Sequence, residues 1–354
     1  MEKVIEMNSF GISLYLGTGY KKNKEIIEKA HKNNAKYAFT SLHIPEEIVR
    51  DYQKEVESLL TICKVNNLNL IVDVGPRTLE KLGFKDFKEL KQTSITHLRL
   101  DYGFTYEEII ELSKDFNIVF NASTLLDNDI YELKRLNADF SRFSACHNFY
   151  PKPLTGLSLK KVNKINKKLK NLGITIMAFV AGDKDLRGPL HMGLPTVEEH
   201  RSGDILFNVL QLTKNTETEI CIIGDIDITD EAWIKLKQLS EGYISLHARI
   251  DEKYSFVKDI IHHDRPDSSD YVIRSQESRE FSSQGKIFQV ESPKERKKGS
   301  ISIGNADYLR YSGELEIARQ NLEPEPKVNI IGEVDINDIK YLDYITDGMG
   351  FKFI

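Results

Sequence analysis

The sequence predicts an α/β protein in which a (β/α)8 TIM barrel is followed by a smaller β-rich domain. Three observations carry this. A chain of 354 residues is too long for one ordinary hydrophobic core. Its first two thirds alternates short apolar runs with amphipathic helical patterns, eight times in about 235 residues, which is the cadence of a barrel. After about residue 240 the beat changes to short period-two segments parted by turn residues, as in a compact β domain. The boundary falls at residue 238, giving domains 1–238 and 239–354.

The barrel strands read, in order, as "GISLY" (11–15), "YAFTSLH" (37–43), "LNLIVDV" (68–74) and "THLRLDYG" (96–103), then "NIVFNAST" (117–124), "FSRFSACHNF" (140–149), "ITIMAFVAGD" (174–183) and "EICIIGDIDI" (219–228). Between them, stretches such as "NKEIIEKAHKNN" and "EEIVRDYQKEVESLLTICKVNN" have one polar face and end near asparagine or glycine, as helices do. A doubly wound open sheet is the competing arrangement. It would carry a glycine-rich phosphate fingerprint after an early strand, and "GTG" at 17–19 is too short for one. The later segments are "YISLHAR", "DYVIRSQES", "KIFQVES", "GSISIG", "GELEIA", "KVNIIGEV" and "GFKFI".

Composition narrows the function classes. With 40% hydrophobic and 29% charged residues the chain reads as soluble and globular, and no run approaches the roughly 18 apolar residues of a membrane helix. The N-terminal "MEKVIEMNSFGISLYLG" has no basic segment followed by an apolar stretch and a small-residue cleavage site, so the expected location is the cytoplasm. Cys63, Cys146 and Cys221 are odd in number and form no C-x-x-C pair, which argues against a disulfide framework or a thiolate zinc site. A net charge of −5, with "PKERKKGS" (293–300) as the one basic cluster, offers nothing for nucleic acid to bind.

Side chains alternate along a strand, so in "THLRLDYG" Leu98 and Leu100 share one face while His97, Arg99 and Asp101 share the other. The leucines meet the outer helices; the polar set faces the barrel axis, with Asp101 nearest the C-terminal rim where such barrels build their active sites. The same parity brings Asp73, Asn121, Ser123 and Asn148 to that rim, with Tyr15, Ser41, His43, Phe179 and Asp225 completing a ring. Asp73 and Asp101 end adjacent strands and are candidates for paired-acid hydrolysis. Arg99 either compensates one carboxylate or binds an anionic substrate.

Three other stretches carry chemistry. In "HNFYPKPLTGL" (147–157) two prolines stiffen a loop bearing His147, Asn148 and Tyr150, although parity sets His147 opposite Asn148. In "GDKDLRGPLHMGLPTVEEHR" (182–201), Gly182, Gly188 and Gly193 permit close backbone approach and Arg187 offers a fork for phosphate or carboxylate, while "PTVEE" reads as the start of the next helix. In the second domain Arg274, Arg279, Asn305, Arg310, Tyr311 and Glu314 are either solvated strand-edge groups or a means of capturing an anionic substrate. His262, His263 and Asp264 lack a second cluster at ligand spacing, so no metal and no cofactor are expected.

Three of these stretches, "HNFYPKPLTGLS", "RGPLHMGLPTVEEHR" and "NADYLRYSGELEIA", resemble the bacterial 6-phospho-N-acetylmuramidase family, and the likeness runs over essentially the whole chain. The resemblance implies a TIM barrel with a C-terminal cyclophilin-like β domain. It implies hydrolysis of the β-1,4 bond in 6-phospho-N-acetylmuramyl-N-acetylglucosamine, a peptidoglycan-recycling step. A substrate with a phosphate and a lactyl carboxylate calls for cationic forks, for which Arg99, Arg187, Arg274 and Arg279 are the candidates. Asp73 and Asp101 are the expected acids, with Glu46, Glu47 and Asp225 in reserve. Tyr15, His43, Asn121, His147, Asn148 and Tyr150 complete the expected binding set. His191 and Met192 stand where an acidic residue is expected from the resemblance, which puts Met192 in doubt as a functional position.

Two other classes compete. A phosphosugar aldolase, isomerase or epimerase would share the barrel and the anion sites, but no lysine lies near a strand's C-terminal end and no metal-ligand cluster is visible. A non-catalytic carbohydrate-binding protein would leave the convergent Asp, Arg and Asn side chains without a task.

Overall fold

The computed structural model describes residues 9–41, 52–75, 78–79, 84–101, 103–283 and 285–354. The chain divides into two compact units, Met1–Ser240 and Glu241–Ile354. In the first, strands β1 (Ser9–Ser13), β2 (Tyr37–Ser41), β3 (Asn69–Val74), β4 (Ile95–Leu100), β5 (Asn117–Asn121), β6 (Phe143–Cys146), β7 (Thr175–Val180) and β8 (Ile220–Ile223) pair in sequence and in parallel, and β8 closes on β1. The closed barrel that the cadence predicts is the one that forms. Around it run α1 (Tyr20–Lys32), α2 (Tyr52–Val65), α3 (Tyr106–Ser113), α4 (Asp127–Arg135), α5 (Leu159–Lys170), α6 (Ile205–Thr216) and α7 (Asp230–Ser240).

Local sequence accounts for these elements. At α3, Thr105 and Glu108 form a capping box, each side chain bonding the other's backbone N–H. Helix α5 starts at Ser158, whose hydroxyl accepts from the Lys161 amide. Its stripe of Val162, Asn166 and Leu169 is buried, and Lys167, Lys168 and Lys170 in its last turn oppose the helix dipole. Inside the barrel, Phe39, Ile71, Val119, Cys146, Met177, Phe179, Ile220 and Ile222 pack into one apolar core. His97 also points inward, but it is buried with its ring edge-on to Tyr37, and burial pushes its imidazole down to about 4. All three cysteines are free and buried.

The strands end sooner than their apolar runs do. β4 stops at Leu100, β6 at Cys146 and β8 at Ile223, so Asp101, Asn148 and Asp225 begin loops. Pairing continues briefly beyond the regular strands, as in the bond from the Asp101 amide to the Val74 carbonyl at 3.2 Å.

The second unit holds β9 (Tyr243–Leu246), β10 (Ala248–Ile250), β11 (His262–His263), β12 (Val272–Arg274), β13 (Ser300–Gly304), β14 (Leu315–Ala318), β15 (Val328–Val334) and β16 (Gly350–Phe353), with the short helix α8 (Glu280–Ser283). They form a five-stranded sheet, ordered β10-β15-β13-β14-β12, and a three-stranded sheet, β11-β16-β9. The expected strand "KIFQVES" does not form. The Asn329 side chain takes its backbone groups instead, accepting from the Glu291 amide at 3.1 Å and donating to the Gln289 carbonyl at 2.7 Å. A side chain that bonds both an N–H and a C=O removes the groups a neighbouring strand would need.

Candidate active site

The pleat that sends Ile71 into the core sends Asp73 to the layer above it, and the same alternation lifts Arg99 over His97. Asp73 and Arg99 are register partners across β3 and β4. Arg99 Nη1 donates to Asp73 Oδ1 at 2.7 Å, and Nη2 donates to the Asn148 side-chain oxygen. The ion pair is largely enclosed, with side-chain exposures of 12% for Arg99 and 14% for Asp73, and the guanidinium lies 6.0 Å from the Phe39 ring centroid. Burial opposes the charge on Arg99, and the neighbouring Asp73 carboxylate more than restores it. This cation is committed to its pair before any substrate arrives.

Asp101 lies two residues beyond Arg99, roughly 7 Å farther along the chain and about one strand spacing across from Asp73. It is exposed, and its carboxylate accepts no hydrogen bond among the described residues. Asn121, half-buried at the end of β5, accepts from the Ser123 amide at 3.0 Å and so turns the chain. Tyr15 is buried, its hydroxyl donates to the Gly224 carbonyl, and the Arg187 guanidinium carbon sits 4.5 Å from its ring centroid. The Tyr150 amide donates to the Pro195 carbonyl at 2.9 Å, joining the loops after β6 and β7. His43, Glu46 and Glu47 lie outside the described residues.

Several expectations change. His147 does not line the site: it is fully buried, with Nε2 2.7 Å from the side-chain oxygen of Asn166 on α5, and burial lowers its pKa. Neighbouring residues of a β strand face opposite sides, so the parity that turns Asn148 inward turns His147 outward. Asp225 is not a spare acid. Its Oδ2 accepts from the Gly182 and Leu194 amides at 2.8 and 3.0 Å, and its Oδ1 from the Arg187 amide at 2.9 Å. Burial raises its pKa against the pull of those three bonds. Gly182 is required by this packing, because a Cβ there would stand 2.8 Å from both the Asp225 Cβ and the Asp227 carbonyl.

Some site-building residues escaped the sequence reading. Glu198 accepts from the Leu154 and Gly156 amides, both at 2.8 Å, and from Arg201 through two bonds of 2.7 Å. Bonding to Arg201 foremost pushes its carboxyl down to about 2. It fastens the loop after β6 to the loop after β7; the available signal was the i,i+3 spacing of Glu198 and Arg201 inside what read as a helix start. Phe149 was missed as well. Its ring meets Phe179 edge-on at 5.1 Å, Phe39 meets Phe179 edge-on at 5.1 Å, and Phe39 and Phe149 lie 6.4 Å apart, so the three rings give the mouth an aromatic floor.

Two family models cover almost the whole chain: 6-phospho-N-acetylmuramidase, N-terminal, over residues 10–238, and 6-phospho-N-acetylmuramidase, C-terminal, over residues 244–354. The chain belongs to the 6-phospho-N-acetylmuramidase family. A crystal structure of a conserved Enterococcus faecalis protein of unknown function is similar at 31% identity, with 98% of this chain and 96% of that chain covered and a TM-score of 0.76. An uncharacterized B. cereus protein is similar at 25% identity, with 98% and 99% covered and a TM-score of 0.76. No curated protein sequence matches the chain.

In this member of the 6-phospho-N-acetylmuramidase family, His191 and Met192 are exposed, and His191 Nδ1 lies 2.8 Å from the Leu186 carbonyl. In the second unit, Arg274 pairs with Asp267 at 3.2 Å and Arg279 lies 3.9 Å from Glu314. His262 is held by Ser275 and the Val257 carbonyl, and Asp264 by Arg319. Among the described residues no group of His, Cys, Asp or Glu is arranged to hold a metal ion, and no helix is long and apolar enough to cross a membrane.

Proposed function

We propose that the chain is a glycoside hydrolase that cleaves the β-1,4 bond of 6-phospho-N-acetylmuramyl-N-acetylglucosamine, yielding N-acetylmuramic acid 6-phosphate and N-acetylglucosamine. The family supports the substrate class. The observation that carries the chemistry is the contrast between two acids on one rim: Asp73 is locked to Arg99, and Asp101 stands exposed beside it.

In this reading Asp101 is the general acid that protonates the glycosidic oxygen. Asp73, its charge compensated by Arg99 and its position set through Arg99 and Asn148, meets the positive charge that develops at the anomeric carbon, as nucleophile or as base for water. Arg187 is the anion fork, Tyr150 and Asn121 are polar contacts, and Phe149 offers a face to the sugar ring. Arg274 and Arg279 take part only by exchanging Asp267 and Glu314 for the substrate. The second unit acts in this scheme as the cyclophilin-like domain implied by resemblance, and the reaction serves peptidoglycan recycling in the cytoplasm.

The test is incubation of the purified full chain, without added metal, with the 6-phosphorylated and the unphosphorylated disaccharide, following products by mass spectrometry. Cleavage of the phosphorylated compound alone is expected. Cleavage of neither by folded protein moves the assignment to another phosphosugar reaction.

A further inference from the structure

Beside the rim, between the loops that follow β4 and β5, a cleft of about 240 Å³ opens into the helix layer. Asp101 and Asn121 stand at it together with Phe104, Thr124, Asp129 and Leu133. Three features define what it can hold.

The first is charge. Asp129 lines the cleft beside Asp101, and no lysine or arginine is among its described lining residues, so a phosphate or carboxylate placed there meets the like charge of Asp129. The second is hydrogen-bonding capacity. Asp129 is occupied, accepting from the Leu126 amide at 2.8 Å and the Tyr106 hydroxyl at 2.9 Å. Asp101 has open acceptor positions among the described residues, and Asn121 uses its oxygen on Ser123 while its amide N–H groups bond to no described residue. An acceptor and a donor at one opening match the hydroxyl and acetamido groups of an uncharged amino sugar. The third is the apolar wall, which Leu133, buried, and Phe104 share; it suits the C–H face and acetamide methyl of such a sugar.

We infer that this cleft is the subsite for the uncharged N-acetylhexosamine on the leaving-group side of the scissile bond, an inference that rests on the hydrolase reading above. The molecule then sorts its disaccharide by charge. The phosphorylated sugar lies toward Arg187, and the neutral one lies in the cleft, with Asp101 at the junction where the departing oxygen takes its proton.

Thr124→Trp tests this, because Thr124 is exposed at the mouth and a bulky side chain there fills the opening. Two substrates with the same 6-phospho-N-acetylmuramyl group are compared in the full chain: the disaccharide, and the glycosyl fluoride, whose leaving group needs no sugar subsite. The ratio of kcat/KM for the disaccharide to that for the fluoride is expected to fall at least about tenfold in the variant. An unchanged ratio overturns the inference. Binding of N-acetylglucosamine, read by saturation-transfer NMR, is expected in the parent and lost in Thr124→Trp. If the parent cleaves neither substrate, the hydrolase reading fails, and the NMR result still decides the cleft: no saturation transfer to N-acetylglucosamine overturns it.

Discussion

On the β6 to β8 side of the barrel mouth, Glu198, Asp225 and Asp227 have their acceptor positions filled by protein: Glu198 by two amides and Arg201, Asp225 by three amides, and Asp227 by Trp233 Nε1 at 3.0 Å, the Ile228 amide at 2.9 Å and Lys29 at 3.1 Å. Lys184 and Lys22 stand farther from Asp227, at 3.5 and 3.7 Å. On the β4 and β5 side, the Asp101 carboxylate accepts no hydrogen bond from any described residue. A buried carboxylate with filled lone pairs is a fastener: it shapes loops and has nothing left to offer a substrate. A carboxylate at the same rim with open positions is where chemistry can start. Asp73 is intermediate, paired with Arg99 and half-buried.

Substitutions on the two sides should therefore fail differently. The largest effect is expected from Asp225→Ala. It strands two buried amides and the half-buried amide of Arg187, and at roughly 1–3 kcal/mol for each unpaired buried donor the loss is on the order of 4 kcal/mol; urea denaturation checks it, and a change below about 1 kcal/mol would remove Asp225 from the scaffold. Asp101→Asn should do the opposite, lowering turnover of the phosphorylated disaccharide at least about a hundredfold while leaving the denaturation midpoint in place. Near-normal turnover would take Asp101 out of the mechanism.

Glu198→Gln should show in pH dependence. A carboxyl held down at about 2 against an ordinary 4.5 stabilises the fold fully above pH 4.5 and loses that contribution as pH falls toward 2. The parent's stability should decline through that window and the variant's should be flatter, with a neutral-pH loss trimmed by solvent screening to about 1–2 kcal/mol. Parallel curves would contradict the assignment. Lys184→Ala marks the lower end. Its side chain is 41% exposed at 3.5 Å from Asp227, and Lys29 and Trp233 remain, so the loss should stay under about 1 kcal/mol. A larger loss would make the cation cluster a cooperative network.

Much of this architecture was written in local sequence. The barrel follows from a repeated apolar strand and amphipathic helix, and strand parity, a property of single residues, carried Asp73, Arg99 and Asn148 to one rim and warned that His147 faces the other way. What parity does not report is who meets whom. Asp225 and Asp227 sit two apart in "GDID", yet the amides on Asp225 come from 31 to 43 residues away and the Lys29 ammonium on Asp227 from 198.

Register was equally hidden. The pairing of β3 with β4 shifts between Leu70 and Ile71, and this sets Asp73 level with Arg99 while Asp101 stands a step farther out. The sequence by itself determined the barrel, the facing of its strands and membership of the family. The tertiary structure alone decided which acids are consumed in building the mouth and which, among the described residues, remains open, because side-chain periodicity is local geometry, whereas hydrogen-bond partners and strand register are set by chain segments that meet only on folding.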